Sequence, residues 1–332
     1  MSVFSYISRG TRAELFALTL VGSGLAFVGP ALAADDVSVR LNWFAAGYSS
    51  PFYLGTEKGF YRDANINLTV QEGQGSGGTV QQVAAGRTDF GFVSADAAVR
   101  AVAQGAPIKM VANIANDAGY CTLVKAESGI NSFKDMAGKK YGATAYSSVA
   151  KLLPAALKNA GVPDEKVQRI SMDAANLYAA FLGNQFDGLE ALTFDEPPHF
   201  NAEGHKVKCL DYTDVGIKVL GLGIVASQSE ISSKPDLVKR FVAATLRSFA
   251  YSFDHPEEAA AAGKKMVGDS IKDVDVAAAQ LKLFEKLQPK PLGSMQDADW
   301  KQSIEYLAKY LNIENAPSDT AKYYTDEFLP KS

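Results

Sequence analysis

Histidine and cysteine are nearly absent from this chain, three and two among 332 residues. His199, His205 and His255 stand at no metal-ligand spacing, which removes the usual zinc and transition-metal centres, and no cofactor is expected. There is no G-x-S-x-G elbow, no Walker A loop and no H-E-x-x-H pair, so the common signatures of hydrolases, P-loop enzymes and zincins are missing. Cys121 and Cys209 are too few to build a fold from disulfides. A bond between them and two buried thiols fit the spacing equally well. An excess of positive charge is lacking too. The formal net charge is −4, which leaves no basic field for nucleic acid or for an anionic membrane surface.

Long apolar runs are confined to the start. Arg9 and Arg12 precede an apolar stretch over 15–28, Pro30 breaks it, and Ala31-Leu32-Ala33 has the small-x-small form of a cleavage site. The three parts in that order read as a secretory leader over 1–33, and the stretch is too short for a membrane span. An exported mature chain is expected to begin near Ala34.

The mature part is long enough for two domains. Val37–Leu41 alternates as a strand, Phe52–Gly59 reads as a helix stopped by glycine, and 65–70 is a second strand. A helix from Thr79, a strand over 89–93, a helix over 95–104 and a strand over 108–114 follow. Strands alternating with helices predict a parallel sheet covered on both faces. The texture changes near 115–120, and a second α/β series begins. It has strands near 121–124, 140–143, 167–171, 187–192 and 206–210, and a helix over 147–160 that carries Pro154 inside it. Near 220–227 the texture changes again. Helices are then expected over 235–254, 256–267, 275–287, 297–311 and 318–328. Two α/β lobes with a helical tail predict a two-lobed clam: 34–117 with 222–332 as one lobe, 118–221 as the other, and a ligand between them.

One stretch carries most of the chemistry. Glu72–Gly91, EGQGSGGTVQQVAAGRTDFG, is a glycine-rich loop that follows a strand and opens a helix, so its backbone N–H groups can face an anion or a polar ligand head. Gly73, Gly75 and Gly78 also match G-x-G-x-x-G, with Asp96 about 20 residues on, as in dinucleotide sites. Three features oppose that reading. Gly86 cuts the helix short, an earlier strand precedes the loop, and nicotinamide cofactors are rare outside the cytoplasm. The loop is better read as one wall of a cleft.

The segments LNWFAAGYSSPFYLGTEKGFY, GQGSGGTVQQVAAGRTDFGFVSADA, QGAPIKMVANI and FDGLEALTFDEPPHFNAEGHKVKCL together resemble the periplasmic substrate-binding proteins of the NMT1/THI5-like, or taurine/sulfonate/nitrate-like, class. The resemblance runs through nearly the whole mature chain. It implies a type II periplasmic binding fold with two crossing strands, residence in the periplasm, and a monomer that delivers a small molecule to an ABC permease and its ATPase. Yeast-type pyrimidine synthases of the same family are enzymes that use their own histidine and a run of cysteines. This chain has no such run, and Tyr48 and Ser49 stand near the expected histidine, so a binding protein rather than an enzyme is expected.

Ligands in such sheets sit beyond the carboxyl ends of the strands. That rule selects Asn42, Trp43 and Tyr48 after the first strand; Ser76, Gly77, Gly78 and Thr79 after the second; Ser94 and Asp96 after the third; and Asn116 and Tyr120 at the crossing. From the second lobe it selects Tyr146, Ser147, Ser148, Asp173, Phe194 and Glu196. These loops carry aromatic and acidic residues with almost no Arg or Lys. Aromatics stack on flat rings and carboxylates accept ring or amino N–H. The expected ligand is therefore a flat nitrogen-bearing heterocycle, pyrimidine or thiamine-precursor-like. A sulfonate- or nitrate-type anion held by the glycine loop and the Ser147-Ser148 helix start is the alternative.

Overall fold

The computed structural model describes residues 33–311, 313 and 316–331, and the leader expected over 1–33 lies outside them apart from Ala33. The first four strands are Asp35–Arg40 (β1), Ile66–Gln71 (β2), Phe90–Ser94 (β3) and Ile108–Asn113 (β4). Next come Tyr120–Lys125 (β5), Lys140–Ala143 (β6), Gln168–Ser171 (β7), Gly188–Leu192 (β8) and Val207–Asp211 (β9), and Leu222–Ser227 (β10) closes the series. They form two five-stranded sheets, in the order β2-β1-β3-β10-β4 and β7-β6-β8-β5-β9.

The sheets are mixed, not parallel as the β/α alternation predicts. β10 runs against β3 and β4, and β5 runs against β8 and β9. The reason is where the chain crosses. β4 ends at the cleft and passes directly to β5, which must start at the cleft end of the second sheet and run away from it. β9 returns the chain to β10 in the same way.

The centre of the first sheet is covered on both faces: every residue of β3 is buried, as a central strand between helical layers requires. The tail supplies one layer. Helices Pro235–Asp254, Pro256–Val267 and Val274–Glu285 place Phe241, Phe249, Ala259 and Phe284 in one apolar cluster with Phe52, Phe90 and Phe92. The Phe90 and Phe241 rings stack with centroids 3.9 Å apart. Helix Asp297–Leu311 behaves differently. Its Trp300, Ile304 and Leu307 pack against the helix Ala95–Ala103 beside the first sheet and Ser148–Asn159 beside the second. Pro154 sits inside the latter helix, as expected.

The helix expected over 318–328 does not form. Only Thr320–Lys322 makes a single turn, and the chain then lies along the exposed edge of β4, where Met110 N donates to Tyr323 O (2.8 Å) and Thr325 N to Met110 O (3.0 Å). An edge strand with unpaired backbone groups captures whatever segment reaches it, overriding local helical preference. Cys121 and Cys209 are bonded across neighbouring β5 and β9 and tie together positions 88 residues apart. Among the described residues no helix is long and apolar enough to cross a membrane.

Candidate functional site

The carboxyl ends of both sheets face one cavity of about 540 Å³, counting its mouth. Asn42 and Trp43 after β1, Gly75 and Ser76 after β2, and Ser94 ending β3 form one wall. Tyr120, Ser147, Ser148, Glu190, Asp195 and Glu196 form the other, and Ala118 and Gly221 of the crossing segments close the floor.

The glycine loop is spliced to the loop after β1. Gly73 N donates to Trp43 O (3.0 Å), Gly75 N to Asn42 O (2.7 Å) and Thr79 Oγ1 to Leu41 O (2.7 Å). Two loop amides that the sequence offers to a ligand are thus used to hold Asn42 and Trp43. Gly75 has φ +124°, and a Cβ there would stand 2.8 Å from the Tyr146 carbonyl oxygen, so only glycine lets the second lobe approach this closely.

The opposite wall is acidic. Glu190 lies in the middle of β8, 7% exposed, and its Oε1 accepts Thr144 N (2.6 Å). Burial pushes its carboxyl up to about 7. Glu196, 5% exposed, is likewise pushed up by burial to about 7, although Leu192 N (2.7 Å) and Tyr178 Oη (2.9 Å) donate to its two oxygens. Asp195 is raised by burial and by the neighbouring Glu196 charge. Among the described residues no Lys or Arg lines this cavity. Nor do any three His, Cys, Asp or Glu cluster so as to hold a metal.

Eight of the residues selected from sequence line the cavity: Asn42, Trp43, Ser76, Ser94, Tyr120, Ser147, Ser148 and Glu196. The structure places the other nine elsewhere. Tyr48 is fully buried among Phe92, Phe194 and Phe284, and its hydroxyl reaches the cavity only through Asn42 Oδ1 (3.3 Å). Phe194 crosses into that same aromatic cluster, its ring 4.9 Å from Phe284, because a large apolar ring at the crossing gains more from the core than from the cleft. Gly77 and Gly78 lie under Tyr146, which is half exposed and covers the loop from outside. Thr79 is spent on Leu41. Asn116 accepts from Asn113 Nδ2 (2.7 Å), and Asp173 stands at the start of helix Ala174–Leu182 in a separate surface groove.

Asp96 is fully buried behind the wall. It pairs with Arg100 and accepts from Tyr120 Oη (2.5 Å). Burial alone would raise its carboxyl, but Arg100 and the hydroxyl donors hold it below the usual carboxylate range. Arg100 also donates to Ser148 Oγ (3.1 Å), and Ser94 Oγ shares a hydrogen bond with Ser148 Oγ (2.9 Å), so this cluster joins the two lobes. Glu190 escaped the strand-end rule because it sits within β8. The signal was a lone charge in an otherwise apolar Gly188–Leu192 strand.

A family model described as NMT1/THI5 like matches residues 46–259. The chain is 27% identical over 319 residues (89% of this chain, 92% of the relative) to a protein of Legionella pneumophila named 4-amino-5-hydroxymethyl-2-methylpyrimidine phosphate synthase. It is 24% identical over 312 residues (89% and 86%) to the riboflavin-binding protein RibY of Chloroflexus aurantiacus. Its fold is that of the periplasmic aliphatic sulphonate binding protein SsuA of Escherichia coli, with a TM-score of 0.68, 17% identity, and coverage of 89% of this chain and 99% of that one. This is the periplasmic binding protein fold, two α/β lobes with mixed sheets. One expectation is overturned. The chain was expected not to be an enzyme, yet relatives aligned over nine-tenths of it carry the name of a synthase. The missing cysteine run and histidine therefore do not separate it from the enzymes of its family.

Proposed function

The chain belongs to the NMT1/THI5-like family, and on that premise we propose that its cavity captures a small flat nitrogen-bearing heterocycle, of the aminopyrimidine kind, between the two lobes. The observation that carries this reading is the wall chemistry. The buried carboxyls of Glu190 and Glu196 line the same cavity as the half-buried indole of Trp43, with no basic side chain among the lining residues. Carboxyl oxygens accept amino and ring N–H groups, and an indole stacks on a flat ring. A sulfonate is less well served: the Gly73 and Gly75 amides of the glycine loop are already bonded to Trp43 O and Asn42 O, and the nearby guanidinium of Arg100 is engaged by Asp96. The names of the two relatives, one a pyrimidine synthase and one a riboflavin binder, both concern nitrogen heterocycles.

In this reading the leader exports the chain to the periplasm. The segments 34–117 with 222–332 and 118–221 move as lobes about the crossings, and a permease with its ATPase receives the ligand. Native mass spectrometry of protein purified from its source tests the ligand class. A ring-bearing, nitrogen-containing mass is expected, and a co-purifying sulfonate without a ring refutes the heterocycle.

A second reading is turnover at the same place. It is favoured by two carboxyls held near 7, where a group can both give and take a proton at neutral pH. Chromatography with mass detection after prolonged incubation with the ring that co-purifies tests it. A new product supports turnover, and recovery of the unchanged ring rejects turnover of that compound.

A further inference from the structure

The charge balance of the inner cavity is one-sided. Glu190, Asp195 and Glu196 all line it, each at least nine-tenths buried, and among the described residues no Lys, Arg or His shares that lining. Their neutral donors are few. Glu190 takes Thr144 N, Glu196 takes Leu192 N and Tyr178 Oη, and Asp195 Oδ1 takes Gln280 Nε2 (2.7 Å), which leaves Asp195 Oδ2 without a donor.

Nothing around these carboxyls supplies the missing positive charge. They act chiefly on one another, since the Glu196 charge raises both Asp195 and Glu190. The phenols of Tyr48, Tyr141, Tyr178 and Tyr212 feel the same carboxylates, are raised by burial as well, and stay neutral. Behind the wall, Asp96 and Arg100 cancel. The helices beginning at Ser76 and Ser148 also meet the cavity, but a helix start brings only a fractional charge, and Ser147 Oγ already takes Ala150 N (2.9 Å). In the free protein such a group of carboxyls limits its mutual repulsion by keeping protons. A ligand with a positive edge can replace those protons, and the Trp43 indole on the same cavity offers it a ring face that also attracts a cation.

We propose that the inner cavity takes its ring as a cation, through an N–C–NH2 edge that spreads one positive charge over two nitrogens and donates from both to these carboxylates. This rests on the heterocycle reading above and adds the charge state to it.

Two matched pairs of flat rings test it in calorimetric titrations of the full chain. Benzamidine is a cation at every pH used, and benzamide is its neutral counterpart. 2-Aminopyridine takes a proton near neutrality, whereas 2-aminopyrimidine shows the same edge but is too weakly basic to hold one. Exchanging neutral for charge-assisted hydrogen bonds predicts a preference of about tenfold or more for the cationic member at pH 7. Because the carboxyls must release their protons to meet it, affinity for benzamidine should rise from about pH 5.5 to about pH 8. Glu190→Gln, Asp195→Asn and Glu196→Gln each keep an oxygen acceptor, and at least one should cut the preference about fivefold or more. Asp173→Asn, in its separate groove, should leave it intact. Equal affinities within both pairs overturn the proposal. So does an affinity for benzamidine that is flat or falls with pH, a preference undiminished in all three cavity variants, or one lost in Asp173→Asn. Failure of both aminoheterocycles to bind at all refutes the heterocycle reading itself, whereas binding of both without preference refutes only the charge state.

Discussion

Glu190→Gln isolates the cost of holding a carboxyl in the middle of β8. The side chain ordinarily titrates at 4.5 and here at about 7, chiefly because burial disfavours its charged form. At about 1.36 kcal/mol per pH unit, that difference is worth about 3 kcal/mol. The sign follows from proton counting. Between pH 4.5 and about 7 the folded chain holds this proton and the unfolded chain has released it, so stability falls as pH rises through that window. Above it the full cost is present; below it there is none. Glutamine cannot ionise, yet it keeps an oxygen to accept Thr144 N. The variant is therefore expected to match the parent near pH 4.5 and to exceed it by up to about 3 kcal/mol at pH 8. Urea unfolding of both proteins at the two pH values, without ligand, measures this. Glu196 titrates in both and drops out of the difference to first order. A stability difference independent of pH, or a variant weaker than the parent at pH 8, would refute the assignment of a strained, buried carboxyl.

Other outcomes follow from the same geometry. The chain has two tryptophans, and Trp300 is fully buried and does not line the cavity, so direct quenching of tryptophan emission by a bound ring should be lost in Trp43→Phe; quenching that persists in full would place the ligand away from Trp43. Arg100→Met strands the fully buried Asp96 carboxylate and is expected to cost about 3–5 kcal/mol at pH 7, with much of it recovered in the double variant Arg100→Met/Asp96→Asn; additive losses in the two single variants and the double would count against the pair. Gly75→Ala forces a side chain into a backbone region that glycine alone adopts freely, against the Tyr146 carbonyl, and should hold the lobes apart. Small-angle scattering should then show an enlarged radius of gyration and titration a weakened ligand affinity, and an unchanged profile with unchanged affinity would remove Gly75 from the closure.

Several candidate residues show where reading along the chain stops. The strand-end rule found Asn42, Ser76, Ser94 and Ser147 because loop ends are local features. It could not tell that Thr79 turns back to Leu41, or that the Phe194 ring swings out of the cleft into the cluster around Phe284. It took Asp96 for a ligand contact although its partner, one helical turn on, is Arg100. Glu190 was invisible to it, because a strand-interior residue reaches the cavity only when the neighbouring strands leave that face open.

The order of strands and helices, the two changes of texture and the caps of the tail helices were determined by the sequence itself, since periodicity, glycine stops and proline starts act within a turn or two of chain. So was the acidic and aromatic character of the site. Tertiary structure alone decided that each sheet carries one reversed strand, that the last segment pairs with β4 instead of coiling, and that helix Asp297–Leu311 spans both lobes. It also decided that the glycine loop serves Asn42 and Trp43 as much as any ligand. Those outcomes depend on which backbone edges and charges meet across tens to hundreds of residues, and burial there sets both the pairing and the proton affinities.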